Sequence, residues 1–442
     1  MKHVDDLVPR TRHDVLFATF AAFLGILAGY SVNHAGIVLG LLLSAALLAV
    51  ALRNPNVYLC VIVTATFLSR FSFSIGGLNL RAEMAMGAIS GLALLLKGSA
   101  KPDRRASYAI GLGSAWVIWL FLVSVLTSPN VSASAVIVAW LVFDLMAVAY
   151  IVSYVTDLSP AIYVGITLAF VYSVLSISVW AIATVGNSQF LVQLDPTYGG
   201  YAAYVTVFEA NILAALVVLW AVVALSDRLA GGVPMCIRVG LVSMTPLVAV
   251  VTHTRIAFVV AAIILVTAIV KLKRARWFIV LWTTSIILLL FQLDLDDLSL
   301  SKFTSPFSLE DGTGRYRSRT WAQAFADLGS SSTSWLTGLG ANSFGQRHLD
   351  PSLPGSGARW YLGNLPLQIV YDGGLVAVLI LGILAGVLIR VRPSILTFVF
   401  VVSYAILAIS TSTLWLMQSW VFVAILLISS TGSAEKTKPN DI

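Results

Sequence analysis

The sequence predicts an all-α polytopic membrane protein of about 12–14 transmembrane helices, with one long extracytoplasmic loop containing short helices. Three observations predict it. Of 442 residues, 59% are hydrophobic and 11% charged, and mean hydropathy is +0.93. A soluble domain carries roughly 45–50% apolar and about 25% charged residues. Apolar runs of about 17–25 residues recur along the chain, the length of a helix across a bilayer. They are continuous rather than alternating, which excludes a transmembrane β-barrel. Basic residues, finally, are distributed unevenly between alternate connections. A water-soluble globule, a disordered chain and a disulfide scaffold are all excluded.

The runs fall near 14–30, 36–52, 57–70, 82–96, 108–127, 131–155, 160–185, 201–226, 237–253, 255–271, 277–293, 364–389, 394–411 and 413–430. The third and fourth are short, and redrawing the pair flanking Arg255 gives about 12. The first run follows Arg10 and Arg12 without a small-residue cleavage site, so it is expected to be a retained helix. With both termini cytoplasmic, eighteen of the 27 Lys and Arg residues lie in cytoplasmic segments. Only Arg70, Arg81 and Arg255 lie in short external loops. This is the positive-inside pattern; long loops such as 294–363 cross largely regardless of charge. Residues 1–293 are thus expected to form an N-terminal transmembrane bundle. Residues 294–363 form an extracytoplasmic loop that lids a site, and 364–442 the C-terminal helices. The net charge of +7 then reads as topology and contact with anionic lipid in the bilayer, and no nucleic acid is expected. Cys60 and Cys236 form no disulfide or metal framework. ATP and nucleotide sugars are absent from the external side, so chemistry there needs a substrate delivered on a lipid.

Within the long segment, Trp321, Ala324, Phe325 and Leu328 recur at helical spacing. Arg315, Arg317 and Arg319 stand at or before the start of that helix. Guanidinium groups bind phosphates through forked hydrogen bonds, and helix N-termini favour anions. A diphosphate is one natural ligand; a solvated basic turn paired with Glu310, Asp311 or Asp327 is the other reading. A glycine-rich turn, Gly338-Leu339-Gly340-Ala341-Asn342-Ser343-Phe344, follows, and then a linker rich in Pro and Gly. Arg255 is the single basic residue of a short loop, costly at that depth unless paired, facing a polar cavity or reaching headgroups.

A base for an acceptor hydroxyl can come from His253, beside Arg255, or from His348, which precedes the linker and could swing over a site. His34 reads as structural. Two carboxylates fall inside predicted spans, Asp144 and Glu209, and each faces either a cavity or a partner helix. Glu209 is the better functional candidate, two residues before Asn211. Aromatic rings at the outer face, Tyr198, Tyr201, Tyr204, Trp335, Trp360 and Tyr361, suit stacking on sugars or an interfacial belt.

The run Arg317-Ser318-Arg319-Thr320-Trp321 with the glycine-rich turn resembles the O-antigen ligase and polymerase superfamily. Further segments match in order. They are Gly199-Gly200-Tyr201 with Asn211-Ile212-Leu213-Ala214, then Thr252-His253-Thr254-Arg255, then Asn364 through Leu367, Val370 and Asp372 to Gly374. The resemblance covers roughly residues 190–380. It implies a metal-independent, GT-C-like glycosyltransferase of the bacterial plasma (inner) membrane, with its active site extracytoplasmic and no cofactor. The donor would be a polyprenyl-diphosphate-linked oligosaccharide and the acceptor a glycan or glycolipid. Arg255, Arg315, Arg317, Arg319, Asn211, Tyr198, Asn364 and Asp372 would bind substrate, and His348, His253 or Glu209 would serve catalysis. Gly363 stands where ligases carry a histidine, and the arginine that often precedes the Gly199 segment is missing. The missing histidine favours a polymerase or an atypical ligase. A transporter or flippase of lipid-linked saccharide is the competing class, since Asp144 and Glu209 inside spans suit a proton-coupled carrier.

Overall fold

The computed structural model describes residues 34–75, 78–98, 102–186, 189–194, 200–292, 312–348, 362–391, 395–409, 411 and 413–431. Within them the chain forms an almost wholly helical bundle. It opens with α1 (His34–Arg53), α2 (Pro55–Thr66) and a hairpin, β1 (Ser72–Ile75) and β2 (Leu78–Arg81). Then come α3 (Ala82–Lys97), α4 (Arg104–Thr127), α5 (Val131–Tyr154) and α6 (Ser159–Gly186). A second hairpin, β3 (Val192–Leu194) and β4 (Tyr201–Ala203), precedes α7 (Ala210–Ala224), α8 (Asp227–Ala230), α9 (Met235–Val251), α10 (Arg255–Lys271) and α11 (Arg276–Gln292). The loop helices are α12 (Gly312–Gly329), α13 (Ser332–Thr337) and α14 (Phe344–Arg347). The chain ends in α15 (Leu365–Val391), α16 (Ile395–Ala408), a 3₁₀ turn (Thr413–Trp415) and α17 (Met417–Thr431).

Every predicted span from 36–52 onward lies over a described helix. The run 14–30 lies outside the described residues, as do Tyr198, 293–311 and 349–361. Among the described residues, four helices are long and apolar enough to cross a membrane: Arg104–Thr127, Val131–Tyr154, Ser159–Gly186 and Leu365–Arg390. Shorter apolar helices pack among them. The clearest is α7, buried around its whole circumference, where an apolar sequence without a polar face belongs. Its 15 residues rise only about 22 Å.

Side-chain caps set several helix starts. Asn54 accepts from Val57 N (3.2 Å) ahead of Pro55 at the first turn of α2, and Asn130 accepts from Ala133 N (3.1 Å) at α5. The largest boundary difference from the sequence reading is in the eighth run. The span predicted at 201–226 begins as strand β4, and its helix starts only at Ala210. Glu209 is therefore the residue before a helix, in extended backbone, and not inside a span.

Candidate functional site

The loop helices are fixed to the bundle through a break in α15. Gly374 has φ +67°, a left-handed value inside an otherwise helical run. A helix break frees carbonyls that must find other donors in a dry interior. All three in question do. Leu339 N–H donates to Tyr371 O (2.7 Å), Gly340 N–H to Asp372 O (3.0 Å) and Trp119 Nε1–H to Gly373 O (2.7 Å). The backbones meet so closely that a Cβ on Gly338 would lie 2.5 Å from Gly373 N, and one on Gly374 2.2 Å from Leu336 O. The glycine-rich turn is thus a staple for a broken helix, and glycine is required on both sides of it.

The staple continues onto α4 and α5. Ala341 N–H donates to Ser124 Oγ (2.8 Å), and Ser134 Oγ donates to Ala341 O (2.7 Å). Gln346 bridges Ser128, Asn130 and Ser134, and Arg347 donates to Thr127 O (2.9 Å). Asp372, fully buried, accepts from Gln368 Nε2 (2.8 Å), with the backbone N–H groups of Asn342 and Ser343 facing it. Asn364 accepts from Leu367 N (2.9 Å) as the cap of α15. Both residues of this last motif are seen holding backbone in place.

On this platform sits a side-chain network. His348 Nε2 lies 2.7 Å from Asp327 Oδ2, Tyr371 Oη donates to the same oxygen (2.6 Å), and Gln323 Nε2 donates to Oδ1 (3.2 Å). The His348 ring packs 4.8 Å from that of Phe344, which meets Tyr371 edge-on. His348 and Asp327 are 21% and 18% exposed, so the network opens to solvent on one side. Burial pushes the Asp327 carboxyl up, but hydrogen bonds from His348, Tyr371 and Gln323, with the charge of His348, outweigh it and hold it below its ordinary value. The backbone N–H of His348 closes α14 on Phe344 O (3.0 Å). A carboxylate on one imidazole nitrogen fixes ring orientation. Asp327 appeared in the sequence only as a possible arginine partner, and Tyr371 not at all.

The arginine triplet lies inside α12, not before it. Arg317 is half-buried, Arg319 is exposed, and Trp321 below them donates to Leu362 O (3.2 Å). Ala324 and Leu328 are buried as the helical spacing predicts, whereas Phe325 faces outward against Trp335. Arg255 opens α10, whose main neighbours are α7, α9, α11 and α16, while α12 packs on α13 and α15. No extensive contact joins α10 to α12 among the described residues.

His253 has a backbone role. Thr254 N–H donates to Ala249 O and His253 N–H to Val250 O (both 2.9 Å), the paired bonds of a Schellman motif. His253 fills its left-handed position, at φ +52°, where glycine is usual.

A second polar group forms around Arg81. Its guanidinium pairs with Glu83 (3.5 Å) and covers the faces of Phe208 and Trp140 (4.5 and 4.9 Å). Asp144 and Glu209 lie within its electrostatic reach. Burial pushes the Glu209 carboxyl up, opposed by its hydrogen bond with Asn211 and by Arg81. Gly87 meets Phe143 and Gly91 meets Met146, so α3 and α5 run in the same direction. Trp140 is ten residues into α5, which sets Arg81 roughly 15 Å inward from Asn130. Nearby, the Arg70 guanidinium covers the Tyr204 ring at 3.8 Å, the face that sugar stacking would need.

Among the described residues no group of three His, Cys, Asp or Glu side chains could hold a metal ion. No family model matches the chain, and no curated protein matches it in sequence.

Proposed function

We propose that this protein is an extracytoplasmic glycosyltransferase that moves a polyprenyl-diphosphate-linked glycan onto an acceptor, a growing glycan being favoured over a glycolipid core. The observation that carries the reading is the His348–Asp327–Tyr371 network, whose Asp327 stands on the helix that also bears Arg315, Arg317 and Arg319. In this reading His348, oriented by Asp327, takes the proton of an acceptor hydroxyl as its oxygen bonds to the anomeric carbon. The bond from that carbon to the diphosphate breaks, and guanidinium groups of α12 with Arg255 stabilise the departing charge. Asp372, Asn364 and His253 support the fold of the site, and Asn211 holds Glu209. The organism class, the plasma membrane and the sidedness belong to the same proposal. What supports the membrane itself is the set of bilayer-length apolar helices.

The test is transfer in liposomes containing a polyprenyl-diphosphate oligosaccharide and its acceptor. Arg255→Ala and Arg317→Ala are each expected to abolish transfer while insertion persists, and chelator leaves the wild type active. Near-normal transfer in both variants counts against the proposal. The buried Arg81–Glu83–Asp144 group favours a second reading, a proton-linked carrier of lipid-linked saccharide. Movement of that lipid across the liposome membrane without glycosidic bond formation would select it.

A further inference from the structure

Helices α4 and α15 run antiparallel: Trp119 meets Gly373 at the loop end, so the start of α4 meets the end of α15 at the other. There the two border an open groove of about 770 Å³ lined by Arg104, Arg105, Ser107, Tyr108, Val387 and Arg390. Three guanidinium groups from two helices line it, and among the described residues no carboxylate is in the lining. Among the described residues none of the three forms an ion pair. Asp103, the residue before Arg104, makes no side-chain capping bond and does not line the groove. Like charges gathered in this way repel unless an anion sits between them.

The apolar part of the lining narrows the identity of that anion. Tyr108 is 58% exposed, and Val387 forms part of the wall. Both helices are of membrane-spanning length, so these side chains stand where a bilayer ends and headgroups begin. A free phosphate uses the guanidinium groups alone, whereas a lipid uses both surfaces. Basic pockets between transmembrane helices are sites for anionic headgroups. We infer that this groove binds an anionic phospholipid, its phosphate held by Arg104, Arg105 and Arg390 and an acyl chain laid along Tyr108 and Val387. The lipid bridges the two helices whose far ends share the Trp119–Gly373 bond, and the inference is independent of the reaction proposed above.

The experiment is native mass spectrometry of the detergent-purified full chain titrated with tetraoleoyl cardiolipin, and separately with dioleoyl phosphatidylcholine. Saturable retention of cardiolipin over phosphatidylcholine is expected, unaffected by millimolar inorganic phosphate. The variant R104Q/R105Q/R390Q should bind about 100-fold more weakly, and R390Q alone about fivefold, which preserves the test if the triple variant does not fold. K271Q/K273Q/R274Q, which removes equal charge elsewhere, should bind as the wild type does. Unchanged binding in R390Q, an equal loss in the control variant, or displacement by inorganic phosphate overturns the inference.

Discussion

Around Asp327 the polar partners come from a loop laid over a broken helix, whereas around Arg81 they come from charged side chains enclosed between intact ones. The first arrangement satisfies its backbone before any side chain is considered. Leu339, Gly340 and Trp119 cover the carbonyls of α15, and the imidazole of His348 is then offered, partly exposed, at the rim. The second spends one guanidinium on several carboxyls and two aromatic faces, with Glu83 and Asp144 each 1% exposed. A group meant to exchange protons with a substrate is expected at a solvent-facing rim on a rigid support. A buried charge group is expected to fix helix positions or to answer a proton. Under the function proposed above, the contrast favours Asp327 and His348 over the Arg81 group as the place of proton transfer.

The largest effect that tests this contrast is on transfer. His348→Ala should reduce it by about 100-fold or more, and Asp327→Asn by a comparable factor, in the liposome assay with unchanged insertion. If His348→Ala transfers normally, the contrast loses its functional half. Asp327 also fixes a pH dependence. Its folded carboxyl is held below the ordinary value of about 3.9. The stabilisation is therefore fully present above that value and lost as pH falls through the lower folded one. Thermal stability should fall more steeply on acidification in wild type than in Asp327→Asn.

Arg81→Gln comes next. Breaking a buried pair typically costs about 3–5 kcal/mol, because it leaves an uncompensated charge. A large drop in melting temperature is expected, and Glu83→Gln in the same chain should restore part of it. Gly374→Ala should cost about 1–3 kcal/mol from its left-handed backbone alone, with the clash on Leu336 O added. Gly382→Ala, in the same helix with open space around it, should be neutral or slightly stabilising. Equal melting temperatures for the two would deny the staple. The smallest effect is expected for His253→Gly, which suits the left-handed position but removes a buried imidazole, so the two effects oppose and its drop in melting temperature should be smaller than that of Gly374→Ala. Lost transfer at unchanged stability would return His253 to the chemistry.

Hydropathy located the helices because burial in lipid and burial in protein select the same residues, and α10 begins and ends where the apolar run does. The same equivalence hid what lies between helices. Tyr201-Ala202-Ala203 reads as the start of a span because consecutive apolar residues in a short strand add to the hydropathy of the helix that follows. His253 reads as a base and Asn364 as a substrate-binding group, although a histidine between two helices and an asparagine just before a helix are also C-terminal and N-terminal helix signals. Tyr371 could not be picked out of an apolar run: its role depends on Asp327, 44 residues earlier. Arg81 was legible as a lone cation but not as a hub, since Glu83, Asp144 and Glu209 meet it only through packing.

Because the turn carrying Ala341, Gln346 and Arg347 is hydrogen-bonded to α4 and α5 as well as to α15, its place in the molecule does not depend on the peptide links that follow it. The gene could be divided within codons 349–361 and the two polypeptides co-expressed. The fragments should find each other through the glycine seam, giving a two-chain protein in which each half can be labelled or replaced separately.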